Sequence, residues 1–234
     1  MSIRLLRIRG LLLAVMLSAE TVTVSAAPES PATGDSSGTA RSIMLNRSAE
    51  KAFAAGNLQE AVSLYGKALE ITPGDPRLLV SLAAVETRNG NLKDSENHLR
   101  QALRSDLRNG PAWQLLGMNC LEQKRDEEAF AALVQAVLND PDNPRAHHYL
   151  GISAGRKGWG EVSEQELRRA VELDPNYADA NYNLAVLYLR RTPPLLELAR
   201  RHYQRALDLG TRRDPSVEAQ FAANGSVSPA PPVR

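Results

Sequence analysis

The sequence holds one cysteine and four histidines among 234 residues, aromatics make up only 5%, and almost no charge of either sign is left over. Each shortage excludes something. Cys120 alone cannot close an intrachain disulfide or build a cysteine-based zinc site. His98, His147, His148 and His202 include no HExxH or other metal-ligand spacing, so neither a metal nor another cofactor is expected. Lys plus Arg number 28 against 27 Asp plus Glu, and a net charge of +1 gives no sequence-independent pull toward nucleic acid. What is present, 43% hydrophobic and 24% charged residues, is the profile of an ordinary globular protein.

Long apolar runs are also missing. A membrane-spanning helix needs about 20 apolar residues. The run from Gly10 to Ala19 stops at Glu20, with Thr21 and Thr23 after it. Preceded by Arg4, Arg7 and Arg9 and followed by Val24-Ser25-Ala26, it reads as a cleavable export signal over 1–26, with an N-terminal membrane anchor as the alternative. Cleavage leaves 25 basic against 26 acidic residues and no stable membrane insertion. The expected location is periplasmic or secreted. A bias of 23 Arg to five Lys, together with the signal, points to a bacterial source with a GC-rich genome. Residues 27–41, rich in Pro, Ser, Thr, Gly and Ala, read as a flexible linker; a short capping helix is expected at 215–222 and a disordered tail over 223–234.

The informative pattern is an internal repeat. Ala68, Ala102, Ala136 and Ala170 stand 34 residues apart in similar phrases, and Ala206 follows 36 after the last, the two extra residues falling at Pro193-Pro194. Repeats over 42–75, 76–109, 110–143, 144–177 and 178–213 align two further small columns: Ala49, Ala83, Gly117, Gly151, Ala185, and Ala61, Ser95, Ala129, Ser163, Ala199. Within a repeat the apolar positions follow i, i+3, i+4, i+7, as in Trp113, Leu116, Gly117, Cys120, so each repeat is predicted to be two amphipathic helices. Gly56, Gly90 and Gly158 punctuate the turn inside a repeat; Pro73, Pro141 and Pro175 follow its second helix, with Leu107 replacing the proline in repeat two.

These phrases resemble the tetratricopeptide repeat (TPR) family, whose 34-residue unit carries W-x2-L-G-x2-Y, A-x3-F-x2-A and P. Trp113, Leu116, Gly117, Cys120, Ala129, Leu133, Ala136 and Pro141 occupy its positions in repeat three, with Cys120 where the family places a large apolar residue; Leu184, Ala185, Tyr188, Ala199, Tyr203 and Ala206 occupy them in repeat five. The resemblance implies an all-α, right-handed superhelical solenoid of about five helix-turn-helix repeats, with a concave wall made of first helices. It further implies that positions two, five, nine, twelve and thirteen of each repeat face a partner. In this sequence those positions supply Val80, Ala84, Arg88, Met118, Leu121, Arg145, His148, Ile152, Arg156, Tyr182, Val186, Leu189 and Arg190 as candidate groove residues. The groove is expected to be apolar along Met118, Ile152 and Val186 and edged by arginine, fitting an amphipathic or acidic protein segment. Similar exported TPR proteins accompany pilus assembly, notably the tight-adherence pilus, secretion and polysaccharide export. A non-enzymatic scaffold is therefore expected. The alternative is a self-assembling oligomer, which Trp159 in an exposed turn could support. The carboxylate clamp of some chaperone adaptors does not fit, because Asn46, Glu50, Ser81, Pro111 and Leu115 stand where it needs its own pattern of Lys and Asn.

Three features imitate chemistry. Gly151-Ile152-Ser153-Ala154-Gly155 spells G-x-S-x-G, but the nucleophile elbow needs a strand-to-helix turn and this string lies inside a predicted helix. Ser48-Ala49-Glu50-Lys51 spells S-x-x-K without the S-D-N or K-T-G that should accompany it. His147 and His148 point about 100° apart on a helix and cannot share a metal. Cys120 is expected to be a buried, inert thiol.

Overall fold

The computed structural model describes residues 36–225; the expected export signal, the linker up to residue 35 and the tail beyond residue 225 lie outside the described residues. Eleven helices and no strand occur among the described residues. They are α1 (Ser36–Ala54), α2 (Leu58–Ile71), α3 (Pro76–Arg88), α4 (Leu92–Ser105), α5 (Gly110–Glu122), α6 (Asp126–Asn139), α7 (Pro144–Arg156), α8 (Gly160–Leu173), α9 (Ala178–Leu189), α10 (Leu196–Asp208) and α11 (Pro215–Gly225). None is long and apolar enough to cross a membrane.

The two helices of each repeat pack against one another, and each second helix packs against the first helix of the next repeat. From α3 onward, successive first helices also touch, α3 with α5, α5 with α7 and α7 with α9, whereas second helices approach one another less closely. A stack that is tighter on one layer bends toward it, so the first helices form the inner wall of the solenoid.

All three small columns are buried, and the spacing explains why. A Cβ added at Gly117 would lie 2.5 Å from Leu133 Cγ, and one at Gly151 would lie 2.7 Å from Leu167 Cγ. The leucine of the second helix fills the place a larger first-helix residue would need. Ala68, Ala102, Ala136, Ala170 and Ala206 are each 0% exposed.

Helix starts differ between the layers. The side chains of Asp75, Asn109 and Asn143 accept backbone N–H groups at the starts of α3, α5 and α7, each helix having proline at its first or second position. The second helices have no side-chain cap bond and instead carry acids in the first turn, among them Glu60, Asp94, Asp126 and Glu197, where negative charge complements the helix dipole. Leu107, in place of the usual proline, has its carbonyl accepting the Trp113 indole N–H at 2.8 Å.

Two boundaries differ from the sequence reading. Helix α1 begins at Ser36, so residues 36–41 are helical rather than linker. Ser42 is buried and its hydroxyl lies 2.9 Å from Thr72 Oγ1, at the C-terminal cap of α2; once that pairing holds the helix, extending it by further turns fixes one residue per bond, which needs no apolar pattern. Helix α11 runs to Gly225, three residues beyond 222, and covers the last repeat with Val217 and Phe221, which are 2% and 8% exposed.

Gly117→Ala should therefore destabilise the fold by about 1–3 kcal/mol, since Leu133 is fully buried and cannot step aside. Gly160→Ala meets nothing within 4 Å at a helix start and should stabilise by about 0.4–1 kcal/mol. Urea unfolding midpoints of the two variants measure both; equal shifts would contradict the packing account.

Candidate functional site

The inner wall carries the candidate residues in columns. Ala84, Met118, Ile152 and Val186, at position nine, are all half-buried and run in a row across four first helices. Val80 and Tyr182 at position five are half-buried too, and Arg88, Arg145, Arg156 and Arg190 are exposed.

Three expected lining residues are withdrawn from the inner wall. Leu121 and Leu189 are 5% and 6% exposed and belong to the apolar core between repeats. His148 is 3% exposed and its ring is used internally: the Asn183 amide donates to Nε2 at 2.8 Å, which leaves Nδ1–H to donate to the Tyr177 hydroxyl oxygen at 2.9 Å. Burial keeps this ring neutral and pushes its pKa down to about 4. Sequence position alone could not separate these residues from their exposed neighbours, because the same columns are covered where the next repeat leans over them.

Tyr182 is partly engaged as well. Its hydroxyl donates to Asp214 Oδ2 at 2.5 Å, in the segment leading into α11. That bond holds Asp214 down at about 2 and raises Tyr182 to about 12. The chain's own C-terminal cap thus closes one end of the wall.

His147, next to His148, behaves in the opposite way. Its Nδ1–H donates to Glu166 Oε2 at 2.6 Å and its Nε2–H to the Pro141 carbonyl at 2.9 Å. The Pro141 carbonyl can only accept, which fixes a proton on Nε2, and a carboxylate at Nδ1 favours a second. Burial opposes the charge, but the bonds to Glu166 and Pro141 outweigh it and the pKa lies above 6.5. This ring ties α7 to α8 and is structural.

The arrangement also explains the imitations of chemistry. Ser153 is 0% exposed within α7, and its hydroxyl has no hydrogen-bond partner among the described residues, hence no base to activate it. Gly151 is there for Leu167. The Cys120 thiol is 1% exposed, and burial raises its pKa although the Arg125 guanidinium lies 3.2 Å away. Trp159 is 45% exposed, packed edge-on to Phe130 at 4.9 Å and covered by Lys157 at 4.8 Å.

A part of the wall that position-based reading missed is a cleft of about 850 Å³ at the ends of α7 and α9. Ile152, Arg156, Val186 and Arg190 line it, joined by Asn183 and by Thr192, Pro193 and Leu195 of the α9–α10 connection. The sequence signal for it was the two-residue lengthening of the fifth repeat, which lies in that connection.

Charge is divided between the layers. The five first helices hold seven basic and four acidic residues, the five second helices nine and thirteen. The inner layer is net +3 and the outer net −4, although the chain as a whole is nearly neutral.

With this geometry, comparison with known proteins is consistent throughout. Tetratricopeptide repeat models match residues 52–118, 110–143 and 166–208, together more than half of the chain. Type IV pilus assembly protein PilF of Pseudomonas aeruginosa is 29% identical over 139 residues, 58% of this chain and 55% of that protein. Its structure superposes with a TM-score of 0.69 at 22% identity, covering 81% of this chain and 90% of PilF. MamA of Desulfovibrio magneticus gives a TM-score of 0.61 at 18% identity, covering 72% and 94%. YrrB, a TPR protein described as having an unusual peptide-binding site, gives 0.57 at 22% identity, covering 79% and 92%. The chain spans 11%, 55% and 30% of the length of three curated relatives that it matches.

The two neighbouring histidines should titrate apart. In an NMR titration, the His148 ring should stay neutral until pH approaches about 4, and His147 should lose its proton only above 6.5. His148 then contributes stability above pH 6.5 that is lost as pH falls toward 4; His147 contributes stability below 6.5 that is lost as pH rises through its elevated value. A shared midpoint near 6.5 would show both rings to be solvated. Ser153→Ala, which removes an unbonded buried hydroxyl, should leave stability unchanged or raise it by about 1 kcal/mol in urea unfolding.

Proposed function

This chain belongs to the tetratricopeptide repeat family, and we propose that it is a non-enzymatic scaffold that holds a protein segment along its inner wall. The observation that carries the reading is the half-buried apolar row of Met118, Ile152 and Val186 on a layer that is net positive and edged by exposed arginines. Burial inside the helix pairs accounts for the small columns but not for this row. An amphipathic acidic segment would cover its apolar part and meet Arg88, Arg145 and Arg190 at the edges. YrrB, described as having a peptide-binding site, is a neighbour in fold and supports the general mode.

The system served is proposed to be an assembly in the bacterial envelope: a pilus, a secretion apparatus or polysaccharide export. Its support is the export signal read from residues 1–26 and the partial similarity to a pilus assembly protein. Self-association is the second reading, favoured by Ile43 and Met44 of α1, the first helix of the stack, which are 50% and 69% exposed.

Met118→Glu and Val186→Glu, each placing a charge in the row, should abolish capture of partners from the native host's envelope extract while helical circular dichroism is retained. Retention of the same proteins by wild type and both variants would remove the inner wall as the binding surface. Recovery of the bait alone, with a concentration-dependent elution volume, would favour self-association.

A further inference from the structure

The end of the inner wall repeats a small contact between repeats. Position twelve lies in the last turn of each first helix, and in the second and fourth repeats the arginine at position thirteen reaches back to position twelve of the preceding repeat. Arg88 lies over the Phe53 ring, its guanidinium carbon 5.3 Å from the centroid and Nη1 3.5 Å from the Phe53 carbonyl oxygen. Arg156 donates to the Leu121 carbonyl at 2.8 Å and reaches Asp126 at 3.4 Å. In the fifth repeat the same position is Arg190, but the residue it should reach is Gly155, which has no side chain. Among the described residues the Arg190 guanidinium has neither a hydrogen bond nor an ion pair, its backbone N–H alone being bonded, to Val186 and Leu187, and the residue is exposed.

The cleft of about 850 Å³ opens at this place. Gly155, Gly158 and Gly160 form a wall without side chains, Leu167, Val186, Leu187 and Leu195 provide apolar surface, and Thr192 and Pro193 close the far side. Three guanidiniums line it against one carboxylate, Glu161. Arg191 is held by Glu164 and Arg156 by its own partners, so the cation left for a ligand is Arg190. The volume lies in the range of about 300–1,000 Å³ typical of ligand sites. Because Ile152 and Val186 belong both to the cleft and to the apolar row, an occupant of the cleft continues into the row, which favours a protein segment.

We propose that this cleft is the anchor point of the partner segment and takes an aromatic side chain beneath Arg190, with an adjacent carboxylate of the partner paired to that guanidinium. The ring fills the place that Phe53 fills under Arg88 within the chain itself, stacking a cation over an aromatic face. This rests on the inner wall being the binding surface, and it names the residue chemistry that the wall selects.

The test uses a fluorescein-labelled, terminally blocked octapeptide with one Phe flanked by Asp and Glu, and two controls, one with Phe replaced by Ala and one with every acid replaced by Lys. Binding is read by fluorescence anisotropy with wild type, Gly160→Phe, Arg190→Glu and Met118→Glu, helicity being checked by circular dichroism. Gly160→Phe plugs the cleft from a position where an added Cβ meets nothing within 4 Å; Gly155 is less suitable, as its Cβ would lie 3.2 Å from Ser163 Oγ. Arg190→Glu alters an exposed residue and leaves the packing alone. The expected result is saturable binding of the Phe peptide by wild type, weakened at least tenfold by either control peptide and by both cleft variants. If both cleft variants bind like wild type and only Met118→Glu loses the peptide, the anchor proposal fails while the inner-wall reading stands. Loss with Gly160→Phe but not with Arg190→Glu or the Lys peptide overturns the carboxylate pairing. No saturation with any form overturns the aromatic anchor, and the inner-wall reading is then decided by the extract capture, which does not depend on the probe's chemistry.

Discussion

Close approach of the two helices in a repeat is the constraint on which the rest of the structure depends. Leu133 and Leu167 occupy the space where side chains at Gly117 and Gly151 would be. Ala49 with Tyr65, Ala83 with Leu99 and Ala185 with Tyr203 share core clusters in the same register. A small residue on the first helix is thus matched to a large one on the second, and the axes can settle at the usual separation of about 8–10 Å. Since the match recurs at nearly constant spacing, each repeat meets the next in nearly the same way, and first-helix positions that do not serve the pairing are stacked into columns. The inner wall is a consequence of this registry.

The charge of that wall follows from how the helices begin. Three of the first helices, α3, α5 and α7, are capped by Asp or Asn side chains and proline and carry no acid in the first turn, whereas α9, which lacks such a cap, has Asp179 there. Second helices lack a side-chain cap and carry acids there instead, three of them in α6. The outer layer is therefore acidic, and with the chain as a whole nearly neutral the inner layer is left basic. A chain whose nearly neutral composition shows no pull toward nucleic acid can still present a positive face, because composition averages over two layers with opposite bias.

The fold was legible in the sequence because it rests on periodic small residues, turn glycines and prolines, all of which repeat. The candidate site was legible only in part. Columns assign a side chain to a face, and Met118, Ile152 and Val186 are where the register puts them. Burial along a column depends on what leans over it: His148 is enclosed by Tyr177 and Asn183, while Tyr182 in the same column remains half-buried. The helix at 36–41 escaped notice for a related reason. Its residues have no apolar pattern and are helical because they continue a helix anchored further along, at Ser42 and Ala49. The α9–α10 connection was visible as an insertion, but an insertion gives no hint of which surface it will wall.

In a repeat protein, a site specific to one chain must come from departures within an otherwise equivalent series. Position twelve shows how much one column can vary: Thr87 bonds to Asn119 in the interior, Leu121 and Leu189 join the core, Phe53 lies beneath an arginine, and Gly155 brings no side chain to the cleft it borders. Each of the first four is satisfied inside the chain. Gly155 is not, and it coincides with an arginine lacking a partner and with the one connection in the series lengthened by two residues. Regular packing makes such a vacancy persist, because the neighbouring repeats are held by their own matched pairs and cannot collapse into it. The rigidity that makes the solenoid predictable thus also preserves an unfilled place at its inner edge for another molecule to occupy.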